Sequence, residues 1–382
     1  AQLRVEVRQT CVRVVDIGGK AREVQHGVWD IELGDGDEQL RKDVGERATL
    51  TRSSLVAPEQ PTVSVERTAI TGGANATCGR YVEVAHRNDD VFDRDLAAFK
   101  DASELVTMRR AAEISALAHV RAMRTSRAGL REYHLEAELL YEFRRHGAQS
   151  VAYNSIVATG PNACVLHYRA GPAELRDGDL CLIDAGCELD GYASDITRTF
   201  PVSGRFTPAQ RELYDLVLAA QDAAIAETRA GVPYNVPHDA AVKVLAQGML
   251  DTGLLDRNKE GTLDDVLASG SYRRFYMHRT GHWLGMDVHD VGEYRVPGPL
   301  PAGQEGERPW RPLEPGMVLT IEPGIYVRPA EDVPERYWHI GIRIEDDAVV
   351  TSGACELITR GVPVKADEIE ALMRDNVKES SR

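Results

Sequence analysis

The stretch Leu180-Cys-Leu-Ile-Asp184-Ala-Gly-Cys-Glu-Leu-Asp190-Gly191-Tyr192-Ala-Ser-Asp195-Ile-Thr197-Arg198 constrains this chain more than any other. Asp190-Gly191 is the strongest short-range signal for a two-residue type I′ turn, and apolar, β-favouring residues flank it. That turn pairs Leu189 with Tyr192, which sets Asp184 opposite Thr197 and diagonal to Asp195. Side chains alternate along a strand with a period of two, so both aspartates share one face. Diagonal neighbours lie about 7–8 Å apart at their backbones. Two like charges held that close in a half-buried sheet repel unless a cation sits between them. A pair of divalent metal ions, roughly 3.5–4 Å apart in dinuclear sites, meets that need. The alternative is an exposed hairpin with two solvated acids, and the buried-strand run Leu180-Cys-Leu-Ile argues against it.

Further ligands lie downstream. His278, His282 and His289 place three of the 11 histidines in one short stretch. Glu322 ends an apolar run before Pro323-Gly324, and Arg343 and Glu345 share one face of a strand whose other face carries Ile342 and Ile344. Taken singly, a strand-terminal glutamate is a solvated edge residue and an Arg-x-Glu pair is a surface ion pair of little worth. Taken together they make an oxygen-rich set of two Asp and two Glu with one imidazole. Such a set suits harder ions such as Mn²⁺, whereas Zn²⁺ sites lean on His and Cys.

The order Asp184, Asp195, His282, Glu322, Glu345 resembles that of the pita-bread-fold metallopeptidases, which include methionine aminopeptidase, prolidase and aminopeptidase P. The flanking sequences are most similar to those of the bacterial aminopeptidases P (Xaa-Pro aminopeptidases). They are Tyr153-Asn-Ser-Ile-Val, Val165-Leu-His167-Tyr, Ile183-Asp-Ala-Gly-Cys-Glu, Asp195-Ile-Thr-Arg-Thr-Phe-Pro-Val, His282-Trp-Leu-Gly-Met-Asp-Val-His289-Asp-Val-Gly and Ile342-Arg-Ile-Glu-Asp-Asp. The resemblance runs from about Glu104 to Met373 and implies an α+β architecture, a pita-bread catalytic domain behind a smaller mixed α/β N-terminal domain. We divide the chain at 1–100 and 101–382. Residues 1–100 alternate short β-favouring runs, such as Leu3-Arg-Val-Glu-Val and Thr62-Val-Ser-Val-Glu, with breaks at Gly34-Asp-Gly-Asp and Gly72-Gly-Ala-Asn. They do not match the amino-terminal pattern of the family.

A chain of 382 residues exceeds one comfortable core. The net charge of −15 argues against nucleic acid and anionic membranes as partners. No apolar run is long enough to span a bilayer, and the start Ala1-Gln-Leu-Arg-Val has no apolar signal core. Six cysteines without C-x-x-C spacing, several of them in apolar runs, fit a reduced cytoplasmic protein. Helices are expected from an N-cap at Ser103, over about Arg131–His146, from the capping box Thr207-Pro-Ala-Gln210 to near Gly231, and over about Pro237–Thr252. Strands carrying His282, Glu322 and Glu345 should follow, with a surface loop at Gly303–Trp310. Helix pairs followed by strands thus occur twice, and face-to-face halves would bring Asp184 and Asp195 from one to meet His282, Glu322 and Glu345 from the other.

The resemblance also implies roles. Asp195 and Glu345 would bridge two metal ions, Asp184 would complete one, and His282 and Glu322 the other. Two such ions lower the pKa of a shared water, and Glu322 is the general base beside it. His278 and His289 would donate to the oxyanion, with His167 nearby as a further catalytic candidate. Arg343 would orient the metal carboxylates, and Trp283 and Tyr326 would wall the proline pocket. The implied activity is hydrolysis of the bond between an N-terminal residue and a following proline, by a homotetramer or homodimer acting on peptides. A dipeptide-restricted prolidase is the alternative within this chemistry. A metal-free binding module, or a metal-independent enzyme of the creatinase type, is the alternative outside it, and the complete ligand set counts against both.

Overall fold

This computed structural model describes six backbone strands between residues 3 and 85, residues 98–298 and residues 306–379. The chain divides into two compact units, Ala1–Leu96 and Ala97–Arg382. In the first, β1 (Leu3–Arg8), β2 (Cys11–Asp16), β3 (Val28–Glu32), β4 (Arg47–Ser53), β5 (Arg67–Thr71) and β6 (Arg80–Ala85) form one sheet. Its order is β1-β2-β6-β5-β4-β3, and only the β2–β6 pair is parallel. The run at Leu3 falls in β1, whereas Thr62–Glu66 and the breaks at Gly34 and Gly72 lie outside the described residues.

The second unit opens on α1 (Ala102–Thr125). Its N-cap is Asp101 rather than the expected Ser103. The Asp101 carboxylate accepts from the backbone N–H of Ser103 and Glu104, and Glu104 accepts from the Asp101 N–H at 2.7 Å. The box partner three residues on decides the start: Asp101 has Glu104, while Ser103 has Val106. After α2 (Glu132–Arg145), Gly147 turns the chain with φ 96°. The buried face of α1 is largely small, with Ala111, Ala112, Ser115, Ala118 and Ala122. Small side chains let the acidic hairpin approach closely. The Ser115 hydroxyl meets that of Ser194 at 2.7 Å and accepts from the Cys187 N–H at 3.0 Å.

The hairpin has the expected register. It is built from β9 (Leu180–Asp184), β10 (Cys187–Leu189), β11 (Tyr192–Ala193) and β12 (Thr197–Pro201), after the two short strands β7 (Ser150–Val151) and β8 (Ile156–Thr159). Leu189 pairs with Tyr192 and Asp184 with Thr197. Asp190 and Gly191 both have positive φ, 49° and 82°, as a type I′ turn requires. The ladder is not continuous, however. β9 and β12 pair in a sheet with β8, while β10 and β11 pair in another with β7. Gly186 marks the break, where a Cβ would stand 1.6 Å from the Ser194 carbonyl oxygen, an approach only glycine permits. Asp195 therefore sits in the interruption and not on a strand.

The second half repeats the order. α3 (Pro208–Glu227) opens on the expected capping box, with Gln210 N–H donating to the Thr207 hydroxyl and Thr207 N–H to the Gln210 side chain. It stops at Glu227, short of Gly231. Then come α4 (Val236–Thr252), the short α5 (Arg257–Glu260) and α6 (Leu263–Ser269), β13 (Val318–Ile321), β14 (Gly324–Val327), β15 (Ile340–Arg343), β16 (Asp346–Val349), β17 (Glu356–Leu357) and α7 (Ala366–Glu379). β13, β16 and β17 share one sheet, and β14 pairs with β15. Contrary to expectation, His282 lies on no strand, and Glu322 and Glu345 lie between strands. Of the expected loop at 303–310, only the part from Gly306 is among the described residues.

Arg198 on β12 clamps the halves together. Its fully buried guanidinium donates to the Glu345 carbonyl at 2.6 Å and to Asp346 Oδ1 at 2.8 Å. Removing one member of a buried pair leaves an uncompensated charge, so Arg198→Met should lower unfolding stability by about 3–5 kcal/mol. Denaturant melts of parent and variant measure this, and a loss below about 1 kcal/mol would show that Arg198 is not a clamp.

Candidate metal centre

The expected ligands converge. Ligand atoms of Asp195, His282 and Glu345 lie within 4.8 Å of one another. Asp184 joins them through Tyr153, whose hydroxyl reaches Asp184 Oδ1 at 2.6 Å and also bonds Asp195 Oδ1. His282 Nε2 stands 3.5 Å from Asp195 Oδ2 and 3.7 Å from Glu322 Oε1.

Local sequence explains how His282 reaches this place without a strand. Residues 280–283 run beside β13, with the Thr320 N–H donating to the His282 carbonyl at 2.9 Å and the Glu322 N–H to that of Thr280 at 2.8 Å. A Cβ at Gly281 would stand 2.1 Å from the Thr320 carbonyl oxygen, so glycine is what lets this segment close on β13. The Thr280 hydroxyl is tied to Tyr276 and to His238. These contacts give the Arg279-Thr280-Gly281 trio a fixed shape. His282 Nδ1 donates to the Trp283 carbonyl at 2.9 Å, which fixes the ring and turns Nε2 to the carboxylates.

The donor set fits a cation. Burial, then Asp184, pushes the Asp195 carboxyl up. Burial, then Asp195 and Glu322, pushes Glu345 well up, and burial raises Glu322 to about 7. For His282 burial works downward, yet hydrogen bonding to Asp195 and the charges of Glu322 and Asp195 hold it at about 9. The imidazolium proton thus takes the place that a metal ion could fill, and carboxylates that resist ionisation together are those a divalent ion would neutralise.

Around them stands a layer of donors. Arg343 gives one N–H to Asp184 Oδ2 at 2.6 Å, one to the Thr197 hydroxyl at 3.1 Å and one to the Tyr326 hydroxyl at 2.8 Å. Thr197 donates to Glu345 Oε2 at 2.6 Å. The Asp195 N–H donates to Asp347 at 3.1 Å. The sequence places Thr197 opposite Asp184 without a role, and Tyr153 lies in the stretch Tyr153-Asn-Ser-Ile-Val without one. Register could have flagged Thr197. Nothing local could have flagged Tyr153, which comes from a separate loop.

Three expected residues have other partners in the structure. His278 lines the cavity, where its Nδ1 donates to the Arg279 carbonyl at 2.7 Å and its Nε2 accepts from Tyr326 at 2.8 Å, so a bond to an oxyanion would have to replace one of these. Burial lowers its pKa to about 3, so it stays neutral. Trp283 does not wall a pocket. It is fully buried and stacked on Tyr294, with ring centres 5.5 Å apart. Tyr326 is buried too, and acts through its hydroxyl bonds to Arg343 and His278. Tyr153, Tyr168, Tyr234, Tyr294 and Trp310 are the tyrosines and tryptophan that line the cavity, about 650 Å³ in volume. His167 and His289 line it with exposed side chains, and the His289 ring lies 4.1 Å from that of His282.

Comparison with known proteins agrees with this geometry. Residues 106–352 match the model of metallopeptidase family M24. The Xaa-Pro aminopeptidase of Escherichia coli (strain K12) is 49% identical over 279 residues, 73% of this chain and 60% of that protein. Among solved structures, Pseudomonas aeruginosa aminopeptidase PepP aligns with a TM-score of 0.71 at 52% identity, covering 78% of this chain and 64% of that one. Zinc-substituted E. coli aminopeptidase P in complex with product gives 0.70 at 46% identity, with coverage of 78% and 64%. The chain spans about 60% of the length of the curated relatives it matches. Its second unit has their pita-bread architecture, and the chain belongs to metallopeptidase family M24.

Proposed function

We propose that this protein is a metal-dependent exopeptidase that cleaves the bond between an N-terminal residue and a following proline. The observation that carries the reading is the convergence of Asp195, His282 and Glu345, with Asp184 and Glu322 beside them, at the wall of one cavity. The proline preference is taken from the likeness to Xaa-Pro aminopeptidases. In this reading Asp184, Asp195, His282, Glu322 and Glu345 would hold the metal, with Asp195 and Glu345 central to the site. Four carboxylates against one imidazole favour Mn²⁺. When bound, the ions supply Lewis acidity toward a carbonyl oxygen and lower the pKa of water.

The chain's own groups do the rest. Among the described residues the Glu322 carboxylate has no arginine ion-pair partner, and the hydrogen bond its side chain accepts, from the Thr320 hydroxyl, is long at 3.4 Å. It also faces the cavity. It therefore takes the proton of the attacking water and hands it to the proline nitrogen. His289 has no protein hydrogen bond among the described residues and donates to the developing oxyanion. His167, likewise open to the cavity, orients the peptide. Arg343 holds Asp184, and through Tyr326 holds His278, so that these do not turn when the peptide arrives. A homo-oligomer, dimer or tetramer, belongs to the same reading, as does a cytoplasmic setting, which suits the free thiols of Cys164, Cys181, Cys187 and Cys355. Light scattering at micromolar protein that returns the mass of one chain would count against the assembly.

Chelation should abolish activity and Mn²⁺ should restore it. Metal at a hundred times its Kd should stabilise the parent by about 2.7 kcal/mol. Asp195→Asn removes one of the crowded charges, so the metal-free variant should be at least as stable as the metal-free parent and should lose most of that gain. An equal metal-induced shift in parent and variant would remove Asp195 from the ligand set.

Glu322→Gln keeps the shape but not the charge. It should lower kcat more than tenfold, about 1.4 kcal/mol in barrier, and a smaller loss would mean that another group is the base. The choice between aminopeptidase and prolidase rests on chain length. We expect kcat/KM to be at least as high for an Xaa-Pro peptide extended by two residues as for the Xaa-Pro dipeptide. No turnover of the longer peptide would assign a dipeptidase and leave the metal chemistry standing.

A further inference from the structure

Three arginines line the cavity, and of these only Arg343 has a carboxylate partner among the described residues. Arg343 is paired with Asp184. Arg169 and Arg279 have no carboxylate partner among the described residues, although the chain carries 60 acidic residues against 45 basic ones. Arg279 is not a loose surface cation. Its guanidinium lies over the Trp310 ring, 4.8 Å from the centre, and stacking on an aromatic face fixes a planar fork in place. Arg295 provides the contrast. It lies over the same ring at 3.6 Å but is paired with Glu307 and donates to the Arg308 carbonyl. Of the two guanidiniums on Trp310, the one that faces the cavity is the one left without a counter-charge.

We infer that Arg279, seated on Trp310 and assisted by Arg169, is a carboxylate-binding subsite for the part of the peptide beyond the scissile bond. This rests on the exopeptidase reading above. A peptide offers anions only at its C-terminus and on acidic side chains. Its free N-terminus is cationic near neutral pH, so two unpaired guanidiniums do not serve that end. The arginines therefore suit the other end of the peptide, beyond the scissile bond. The ligand is therefore a peptide carboxylate, from the chain terminus of a short peptide or from an acidic residue after proline. Arg-to-carboxylate bonds are charge-assisted and bidentate where geometry allows. At an open rim such a contact is screened, so the effect weakens as salt rises.

The test separates binding from turnover. With the metal-loaded protein, calorimetry compares Pro-Ala-Ala with its C-terminal amide, and the amide of Pro-Glu-Ala with that of Pro-Gln-Ala. The free acid should bind about tenfold tighter than its amide, about 1.4 kcal/mol. In Arg279→Met the ratio should fall to within about twofold, and Arg279→Lys should lie between, since it keeps charge but loses the fork. A gain for the Glu amide over the Gln amide assigns side-chain carboxylates as ligands as well, and no gain restricts the subsite to the chain end. Equal binding of acid and amide by the parent, binding of neither, or an unchanged ratio in Arg279→Met would overturn the inference. Cleavage of Ala-Pro-Ala-Ala is read in parallel. Turnover without carboxylate preference sinks the subsite and leaves the exopeptidase, whereas carboxylate preference without turnover does the reverse.

Discussion

The rest of the structure is arranged around too many buried carboxylates in too small a space. Asp184, Asp195, Glu345 and Asp347 are all buried, and Glu322 adjoins them. Ionised carboxylates are costly to bury unless paired, and they raise one another's pKa. Among the described residues one arginine, Arg343, and one imidazole, His282, meet them. Its answer is to distribute the acids over two halves of the unit and to tie the halves with the donors that serve the acids. Arg343 reaches from β15 to Asp184 on β9, and Thr197 reaches from β12 to Glu345. The contacts that hold the halves in register are the ones that orient the ligands. Loosening the site and loosening the fold are thus the same event.

Exposure is graded across this centre in a way that separates holding from acting. Asp195, Glu345 and Arg343 are buried, so solvent cannot compete for their hydrogen bonds. His278 is fixed between Tyr326 and a backbone carbonyl and serves as the outer end of a relay that begins at Arg343. His167 and His289, by contrast, are exposed and open to the cavity. The exposed histidines keep their freedom, and the buried groups are over-determined. The aromatic residues divide the same way. Trp283 packs inside against Tyr234 and Tyr294, which in turn present their other sides to the cavity.

What could be read from sequence was whatever local geometry decides. Asp190-Gly191 fixed a turn, the turn fixed the register, and the register put Asp184 opposite Thr197. Thr207 and Gln210 marked a helix start because both halves of a capping box lie within four residues. Ser103 misled because Asp101 and Glu104 form a better box around it. What could not be read depends on contacts between distant segments. Gly186 interrupts the hairpin because Ser194 crosses it, and nothing in either tripeptide says so. His282 looked like a strand residue because its neighbours are apolar, but Trp283 is apolar for the sake of Tyr234 and Tyr294. Tyr153 bridges two aspartates from a loop more than 30 positions upstream in sequence, which no periodicity reports.

The run Glu345-Asp346-Asp347 shows how far three adjacent identical charges can be driven apart in role. It stands where β15 ends and β16 begins, so its side chains alternate in direction. Glu345 turns to Asp195 and His282 and accepts from Thr197. Asp346 turns away into the core, where Arg198, Arg360, Gln221 and Thr359 surround it. Asp347 returns to the first side and accepts the N–H of Asp195. Asp346 is the best compensated of the three, and Asp347, with burial and then Asp195 pushing its pKa well up, is the least. Its place behind Asp195 has a consequence for the centre as a whole. By accepting the Asp195 N–H, Asp347 fixes the backbone that carries the Asp195 carboxylate. The second acid on that face thus supports the first through the main chain and leaves the Asp195 side chain facing His282 and Tyr153.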